Sequence, residues 1–261
     1  MVPANITSEQ VQVFLLVFIR VLAMVSLLPF LGSASVPVQL KAGFSFMIAI
    51  VLFPNVPVLP AQELVLNIPS FVFMVVKEIF IGITIGFAAS LLFSGVQFAG
   101  RLVDTQMGFA LVQIVDPFSD TEATVTGQFQ ILIYSIIFLI VNGHYFLLLA
   151  VQKSFELIPL FGAQLPGSSV AEYLGAMVAN IFVLAVRLAA PVFAVLVLTS
   201  LSLGIVARTV PQLNVFFVGL PLKIGLGVIT LAIVLPGLVI LFRSMVENLI
   251  TDLWRLLYLL A

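Results

Sequence analysis

The sequence of 261 residues contains no cysteine and very few charged residues. Without a thiol, disulfides and thiolate metal sites are excluded, while the redox compartment stays open because a cysteine-free chain suits either environment. Charged residues make up only 8% of the chain, whereas soluble proteins usually carry about 25%. Apolar residues make up 62%, and the mean hydropathy is +1.31. This composition is typical of an integral membrane protein.

Motifs for chemistry are missing from the sequence as well. It contains no G-x-S-x-G, no H-E-x-x-H and no phosphate-binding glycine loop. His144 has no carboxylate, Ser or Cys at motif spacing, and the run from Asp116 to Glu122 lacks the ligand spacing of a calcium loop. The net charge of −1, without a block of like charges, indicates no nucleic-acid partner. We therefore predict no enzyme activity and no catalytic, cofactor-binding or metal-binding residue.

Long apolar windows dominate what is present. Six of them can span about 30 Å of hydrocarbon at roughly 20 helical residues each. They lie near residues 11–31, 42–60, 71–99, 129–151, 173–206 and 213–242. The first lacks a basic n-region and a small-x-small cleavage site, so we expect it to be retained. The windows predict an all-α chain of about six long helices with both termini on one side, while balanced Lys and Arg in the loops leave its orientation open.

Three segments outside the window centres are distinctive. Residues 100–128 form the longest polar stretch but enclose the apolar run Met107–Val112, and a loop of this length is more often functional than idle. Residues 153–168 are rich in Pro and Gly, and the capping-box pattern from Ser169 to Glu172 predicts the start of the fifth helix. Residues 243–261 are amphipathic, so we expect this tail to lie on a membrane surface or to pack on a partner.

Small residues recur at every fourth position in the third window. The stripe consists of Gly82, Gly86, Ser90 and Ser94. Such a stripe lets a second helix approach closely, either within this chain or from another subunit. The pattern favours neither arrangement.

Five charged side chains lie inside the apolar windows: Arg20, Lys77, Glu78, Arg187 and Lys223. Each costs about 2.5 to 3.5 kcal/mol at the centre of a membrane helix, so each needs protein or water beside it. One interpretation is a solute or proton pathway. The other is structural pairing, for example of Lys77 or Arg187 with Glu78, and it is favoured because the charges form no relay along any one helix. Prolines also interrupt or flank the windows, and each interior one frees a carbonyl, which predicts kinked or broken helices.

The stretch from Gly204 to Ile224 predicts a helical hairpin with a polar tip. Arg208 suits the C-terminal end of the fifth helix because its cation complements the helix dipole. Pro211 then prevents continuation, and Gln212 and Asn214 can bond freed backbone groups in a tight turn before the sixth helix.

This stretch strongly resembles the R subunit family of the flagellar type III export gate, the FliR family. Members carry the pattern A-R-x-x-P-Q-x-N-V-F-x-x-G-x-P-x-K. Every fixed position matches, at Ala207, Arg208, Pro211, Gln212, Asn214, Val215, Phe216, Gly219, Pro221 and Lys223. Injectisome relatives share the Pro-Gln-x-Asn core but usually differ from residue 219 to residue 223, which favours the flagellar branch. Arg20, Asp104-x-x-x-Gly108-Phe109 and Asp116-Pro117 also look like the family.

The resemblance implies a place in a larger assembly. One R copy would join several P-type and Q-type subunits in a helical ring at the base of the bacterial flagellum, in the cell membrane. That ring would form the pore for unfolded flagellar substrates, with the B-type export switch protein as a further partner. Residues 1–185 would be a P-like helical part, and residues 186–261 a Q-like helical hairpin with the amphipathic tail.

The resemblance also implies roles for particular residues. A plug segment near residues 106–122 would sit in the closed pore, and an apolar run inside a polar loop is suited to a constriction that excludes water. Its residues would be Met107, Gly108, Phe109, Ala110, Leu111, Val112, Asp116 and Pro117. The hairpin tip would contact neighbouring subunits through Arg208, Pro211, Gln212, Asn214 and Lys223.

A small-solute or ion transporter is the alternative function. Lys77, Glu78, Arg187 and the prolines motivate it, because broken helices and intramembrane charges are common in transporters. It predicts an inverted repeat and a binding pocket at the membrane midplane, and no such repeat is visible between the first and second three windows.

Overall fold

The computed structural model describes residues 8–28, 31–32, 36–56, 68–109, 125–160, 168–212 and 214–261. Within these ranges the regular structure is entirely helical, which confirms the all-α prediction. The α-helices are α1 (Ser8–Leu27), α2 (Val38–Leu52), α3 (Ile68–Met107), α4 (Val125–Ile140), α5 (Gly143–Leu157), α6 (Ser168–Thr209) and α7 (Val215–Leu260). A 3₁₀ turn over Phe53–Asn55 follows α2 and contains Pro54. Among these described residues, five helices are long and apolar enough to cross a membrane, and α4 with α5 makes a sixth candidate.

One window does not correspond to a single helix. The fourth window holds two helices, because Asn142 adopts a left-handed conformation with φ of 60° between α4 and α5. Asn tolerates this region better than most residues since its short side chain is polar and unbranched at Cβ. The Asn142-Gly143 pair was therefore a visible break signal inside an apolar window.

Three helices extend well beyond their windows. Helices α3, α6 and α7 contain 40, 42 and 46 residues. At about 1.5 Å per residue each is about 60 to 69 Å long, roughly twice the hydrocarbon thickness of a bilayer. The predicted breaks at interior prolines are wrong for these helices, because α6 continues through Pro191 and α7 continues through Pro221 and Pro236. Each proline removes one backbone N–H from the helix, and membrane helices tolerate this loss because neighbouring groups bond the carbonyl that is left free.

The described chain divides into two compact units. The first contains Met1–Leu91, Asn142–Met177 and Glu247–Ala261, and the second contains Leu92–Val141 and Val178–Val246. In the first unit, one face of α1 is fully buried, with Val13, Leu16, Val17, Val21 and Met24 in the core.

Close packing of α1 against α3 builds the first unit. A Cβ atom added at Gly86 would lie 2.6 Å from the carbonyl oxygen of Met24, and one at Gly82 would overlap the carbonyl oxygen of Arg20. Real Cβ atoms do not approach backbone this closely, so both positions require glycine. For this half of the small-residue stripe, the neighbouring helix belongs to the chain itself.

The C-terminal tail also belongs to the first unit. Helix α7 continues to Leu260, and the apolar side chains Leu249, Leu253, Leu256 and Leu257 are buried. The Tyr173 hydroxyl donates to Asp252 at 2.7 Å, and the Arg255 guanidinium lies 5.2 Å from the centre of the same ring. The prediction that the apolar face of the tail meets lipid or a partner is therefore wrong, since an amphipathic helix can equally bury that face in its own chain.

The second unit has an aromatic core. Phe93 packs edge-on against Phe138 and Phe242 at centroid distances of 5.5 and 6.0 Å, and Tyr134 lies 4.5 Å from Phe242. All four rings are buried, and they join α3, α4 and α7. Helices α6 and α7 approach within the hairpin at Gly219, where an added Cβ would lie 3.1 Å from Leu203.

The glycine contact with α1 predicts opposite effects at two glycines of the first unit. We expect Gly86→Ala to lower the thermal midpoint of the purified chain, because overpacking against a backbone carbonyl typically costs about 1–3 kcal/mol. Gly175→Ala is the matched control in α6, since nothing lies within 4 Å of its Cβ position. It should leave the midpoint unchanged or raise it, because Ala favours a helix over Gly. Equal midpoints for both variants would contradict the α1–α3 contact.

Candidate functional site

Two of the five charges predicted inside apolar windows, Arg20 and Glu78, form the centre of a buried cluster in the first unit. The Arg20 side chain donates from Nε to Glu78 Oε2 at 2.5 Å and from Nη2 to Oε1 at 3.0 Å, and neither side chain is exposed. Nη1 donates to Ser154 Oγ at 2.8 Å, and Nη2 also donates to the Ile158 carbonyl at 3.2 Å. The guanidinium lies 4.0 Å from the centre of the Phe155 ring. We call these five residues the ion cluster.

Glu78 is paired, as the structural interpretation predicts, and Arg20 is the cation that donates hydrogen bonds to its carboxylate. Lys77 donates to the Pro159 carbonyl at 3.1 Å, and Arg187 is exposed on α6. Gly82 lies one turn after Glu78 on α3 and contacts the Arg20 backbone. This close approach of the two helices brings the Arg20 side chain within reach of Glu78.

The geometry favours structural pairing over a pathway. Four donations and one ring face occupy the guanidinium, and both charged groups are sealed from water. A proton or solute relay needs a chain of accessible groups, whereas this pair is enclosed. Sequence reasoning missed Ser154 and Phe155, whose only signal was a polar and an aromatic residue in a helix with a buried face.

In the second unit, the last turn of α3 lies against the start of α4. Asp104, in the last turn of α3, accepts the Thr126 backbone N–H at 3.2 Å and also binds the Thr126 hydroxyl. Thr126 is the second residue of α4, so the carboxylate meets an N–H that a helix start leaves unpaired. A Cβ at Gly100 would lie 2.6 Å from the Gly127 nitrogen. We call Gly100, Asp104, Thr126 and Gly127 the loop stem.

Helix α3 ends in a defined cap at the start of the predicted plug. Gly108 has φ of 96°, which favours glycine, and the N–H groups of Gly108 and Phe109 donate to the Asp104 carbonyl at 3.1 and 3.0 Å. A left-handed glycine of this kind commonly ends helices. Ala110, Leu111, Val112, Asp116 and Pro117 lie outside the described residues.

The side chain of Met107 is seated on α7. It is 1% exposed, and a Cβ at Gly227 would lie 3.0 Å from Met107 Cγ and 3.1 Å from its Sδ. Any larger residue at position 227 would require the Met107 side chain to shift. The last residue of α3 is therefore held against the second helix of the hairpin.

A cavity of about 560 Å³ lies between the end of α3 and the hairpin. Its lining brings together predicted plug and hairpin residues: Met107 and Gly108 on one side, Phe216, Gly219 and Lys223 on the other. Polar groups from Thr105, Gln106 and Ser200 also line it. We call this space the tip cavity.

The remaining predicted tip residues are on the surface. Arg208 lies in the last turn of α6 as expected, and Pro211 and Gln212 form the turn that follows. The Asn214 carbonyl accepts N–H groups from the first turn of α7, at 3.1 Å from Phe217 and 3.4 Å from Val218. The side chains of Arg208, Pro211, Gln212 and Asn214 are exposed.

The other half of the small-residue stripe consists of two serines. Ser90 is half-buried and donates to the Phe87 carbonyl of its own helix at 2.8 Å, and Ser94 is exposed. Across the residues with described positions, no three His, Cys, Asp or Glu side chains lie close enough to hold a metal ion.

The ion cluster predicts a large difference between two Glu→Gln exchanges. We expect Glu78→Gln to destabilise the chain by about 3–5 kcal/mol, because Arg20 would remain buried without its counter-charge. Glu156→Gln is the control, since Glu156 pairs with Lys153 at 2.5 Å on the surface, with 40% and 47% of the Lys153 and Glu156 side chains exposed. Thermal unfolding in detergent should show a large fall for the first variant and little change for the second. Similar midpoints would mean that the buried pair contributes little.

Comparison with known proteins places the chain among export proteins. The profile of a family described as "Bacterial export proteins, family 1" matches residues 11–249. The chain is 36% identical to the flagellar biosynthetic protein FliR of Bacillus subtilis, over 95% of each chain. It is 31% identical to the FliR protein of Escherichia coli, over 97% of this chain and 95% of that one.

Relatives outside flagella match as well. The secretion system apparatus protein SsaT of Salmonella typhimurium is 32% identical over 84% of this chain and 85% of its own. The surface presentation of antigens protein SpaR of Shigella flexneri is 29% identical over 82% and 83%. The match therefore extends through both compact units and through the hairpin and its tip. With a family profile and close relatives that cover nearly its whole length, the chain belongs to the bacterial export proteins of family 1.

Proposed function

We propose that this protein is a subunit of the flagellar type III protein-export gate and forms part of the pore for unfolded flagellar proteins. The observation that carries the proposal is the 36% identity with a flagellar biosynthetic protein over 95% of both chains. The exposed apolar helices fit a multi-pass subunit in the bacterial inner membrane at the flagellar basal body. P-type and Q-type subunits and the B-type switch protein are the proposed partners, with residues 1–185 P-like and residues 186–261 Q-like.

The role is that of a conduit without chemistry of its own. The charges that motivated a transporter support this, because Glu78 is enclosed by Arg20 and its neighbours. Arg187 is exposed on α6. An enclosed Arg20–Glu78 pair favours a structural role over the solute pathway that a small-solute transporter would need.

The tip cavity supports a gating role for the end of α3. Met107 and Gly108 begin the predicted plug, and they lie against the hairpin whose motif carries the resemblance. Seating Met107 on Gly227 holds the point from which the plug segment, residues 106–122, departs. We propose that this seat sets the position of the plug, which closes the pore by an apolar constriction.

Assembly tests the first part of the proposal. The tagged chain, co-expressed with P-type and Q-type subunits, should purify with both as one hetero-oligomer. Arg208→Ala should reduce the recovered complex or the secretion of flagellar subunits, because Arg208 is exposed at the hairpin tip. Gel filtration and motility are the measurements, and Lys153→Ala is the control for loss of a surface cation. A wild-type chain that remains alone would contradict the proposal.

A pair of glycines on α7 tests the seat of Met107. Gly227→Leu should displace the thioether and raise the leak of small ions through the assembled complex, because the plug would lose its anchor. Gly225→Leu is the matched control two residues earlier, where nothing lies within 4 Å of the Cβ position. Conductance is measured on reconstituted complexes of equal subunit content. Equal leak in the two complexes would contradict the role of the seat.

A further inference from the structure

Arg187 is a cation on an apolar surface of α6. It is exposed, and the same helix also exposes the apolar side chains Phe182, Val183, Val186 and Leu198. Helix α6 runs from Ser168 to Thr209, so Arg187 lies near its middle. At about 1.5 Å per residue, each end of the helix is roughly 30 Å away.

Arg187 differs from the other cations of the windows. Arg20 and Lys77 bind groups of their own chain. Arg187 forms neither a hydrogen bond nor an ion pair with any residue in the part of the chain that the structure describes. Its charge is therefore available to something outside this fold.

The exposed residues around Arg187 have the spacing and the sizes that suit packing of a second helix. A row of exposed residues at spacings of three or four passes through it: Ala179, Val183, Arg187, Ala190 and Ala194. Except for Arg187 these side chains are small or short, while Phe182, Val186 and Leu198 stand beside the row. Small residues let the backbone of a second helix approach closely, and larger neighbours form the ridges that fit its grooves.

The charge then specifies the chemistry of the occupant. A helix that covered this row would remove Arg187 from water, and a buried cation without a counter-charge is strongly unfavourable. A purely apolar partner is thus disfavoured, and one with a carboxylate level with Arg187 is favoured. A lipid phosphate also carries a negative charge, but its binding does not require small residues on both sides of the cation, whereas close packing of a helix does.

We propose that this face of α6 is the docking surface for an apolar helix of another export-gate subunit, which pairs one Asp or Glu carboxylate with Arg187. The proposal rests on the proposed function, since the partner is sought among subunits of the same assembly. It adds a particular surface and the charge that recognises it.

Cross-linking in the assembled complex locates the partner. A photoreactive amino acid at Ala190, in the complex co-purified with P-type and Q-type subunits, should cross-link to a partner helix within about one turn of an Asp or Glu. Mass spectrometry identifies the site. Cross-links confined to lipid or to this chain would overturn the proposal.

Charge exchange then tests the pairing. Arg187→Glu should lower the recovered complex about tenfold or more, because two carboxylates would face each other. Arg187→Lys should retain most of it. Changing the mapped carboxylate to Lys should restore assembly to the Arg187→Glu chain. The isolated variants should unfold at the wild-type temperature, since Arg187 touches no described partner.

The outcomes separate this proposal from the proposed function. If the wild-type chain assembles and Arg187→Glu or Arg187→Leu assembles equally well, the docking surface is wrong and the export function stands. If the wild-type chain does not assemble with P-type and Q-type subunits, both are wrong.

Discussion

The bidentate pair of Arg20 and Glu78 is the contact on which the first unit depends. Two charges without any exposure are tolerated only when each is opposed and hydrogen-bonded, so the groups around them must be in place. Ser154 and the Ile158 carbonyl supply the remaining acceptors, which ties the end of the α5 region to α1 and α3. Gly82 permits this by bringing α3 against the Arg20 backbone. The small-residue stripe and the buried charges are thus parts of one arrangement.

The second unit uses the same devices at a different place. Gly100 lets α3 approach α4, and Asp104 then binds the start of α4 through Thr126. Gly227 lets Met107 seat on α7. In each unit, one glycine contact thus stands beside a bound charged group, Glu78 in the first and Asp104 in the second. Such a group fixes how two apolar helices are aligned, which apolar surface alone does not.

Periodicity and composition predicted the helices well because a long apolar run has few alternatives. They missed the break at Asn142, where a single left-handed residue outweighs hydropathy. They did not identify Arg20 as the cation that binds Glu78, because the two residues are 58 positions apart along the chain. The sequence also predicted that the C-terminal tail would lie on lipid or on a partner. An amphipathic pattern shows that an apolar face is covered, but it does not identify what covers it. The hairpin tip motif was visible in sequence, but its meeting with Met107 was not.

The sequence by itself determined the class of protein, the helical hairpin and the family. These follow from composition, from 3.6-residue periodicity and from a motif whose residues are adjacent along the chain. Only the tertiary structure shows which charges pair, which glycines contact the backbone of a neighbouring helix and which apolar faces remain exposed. The physical reason is that apolar surface is satisfied equally by lipid, by the same chain or by another subunit. Arg20 is buried because residues distant in the sequence surround it, whereas Arg187 is exposed, and the sequence around each arginine does not reveal this difference.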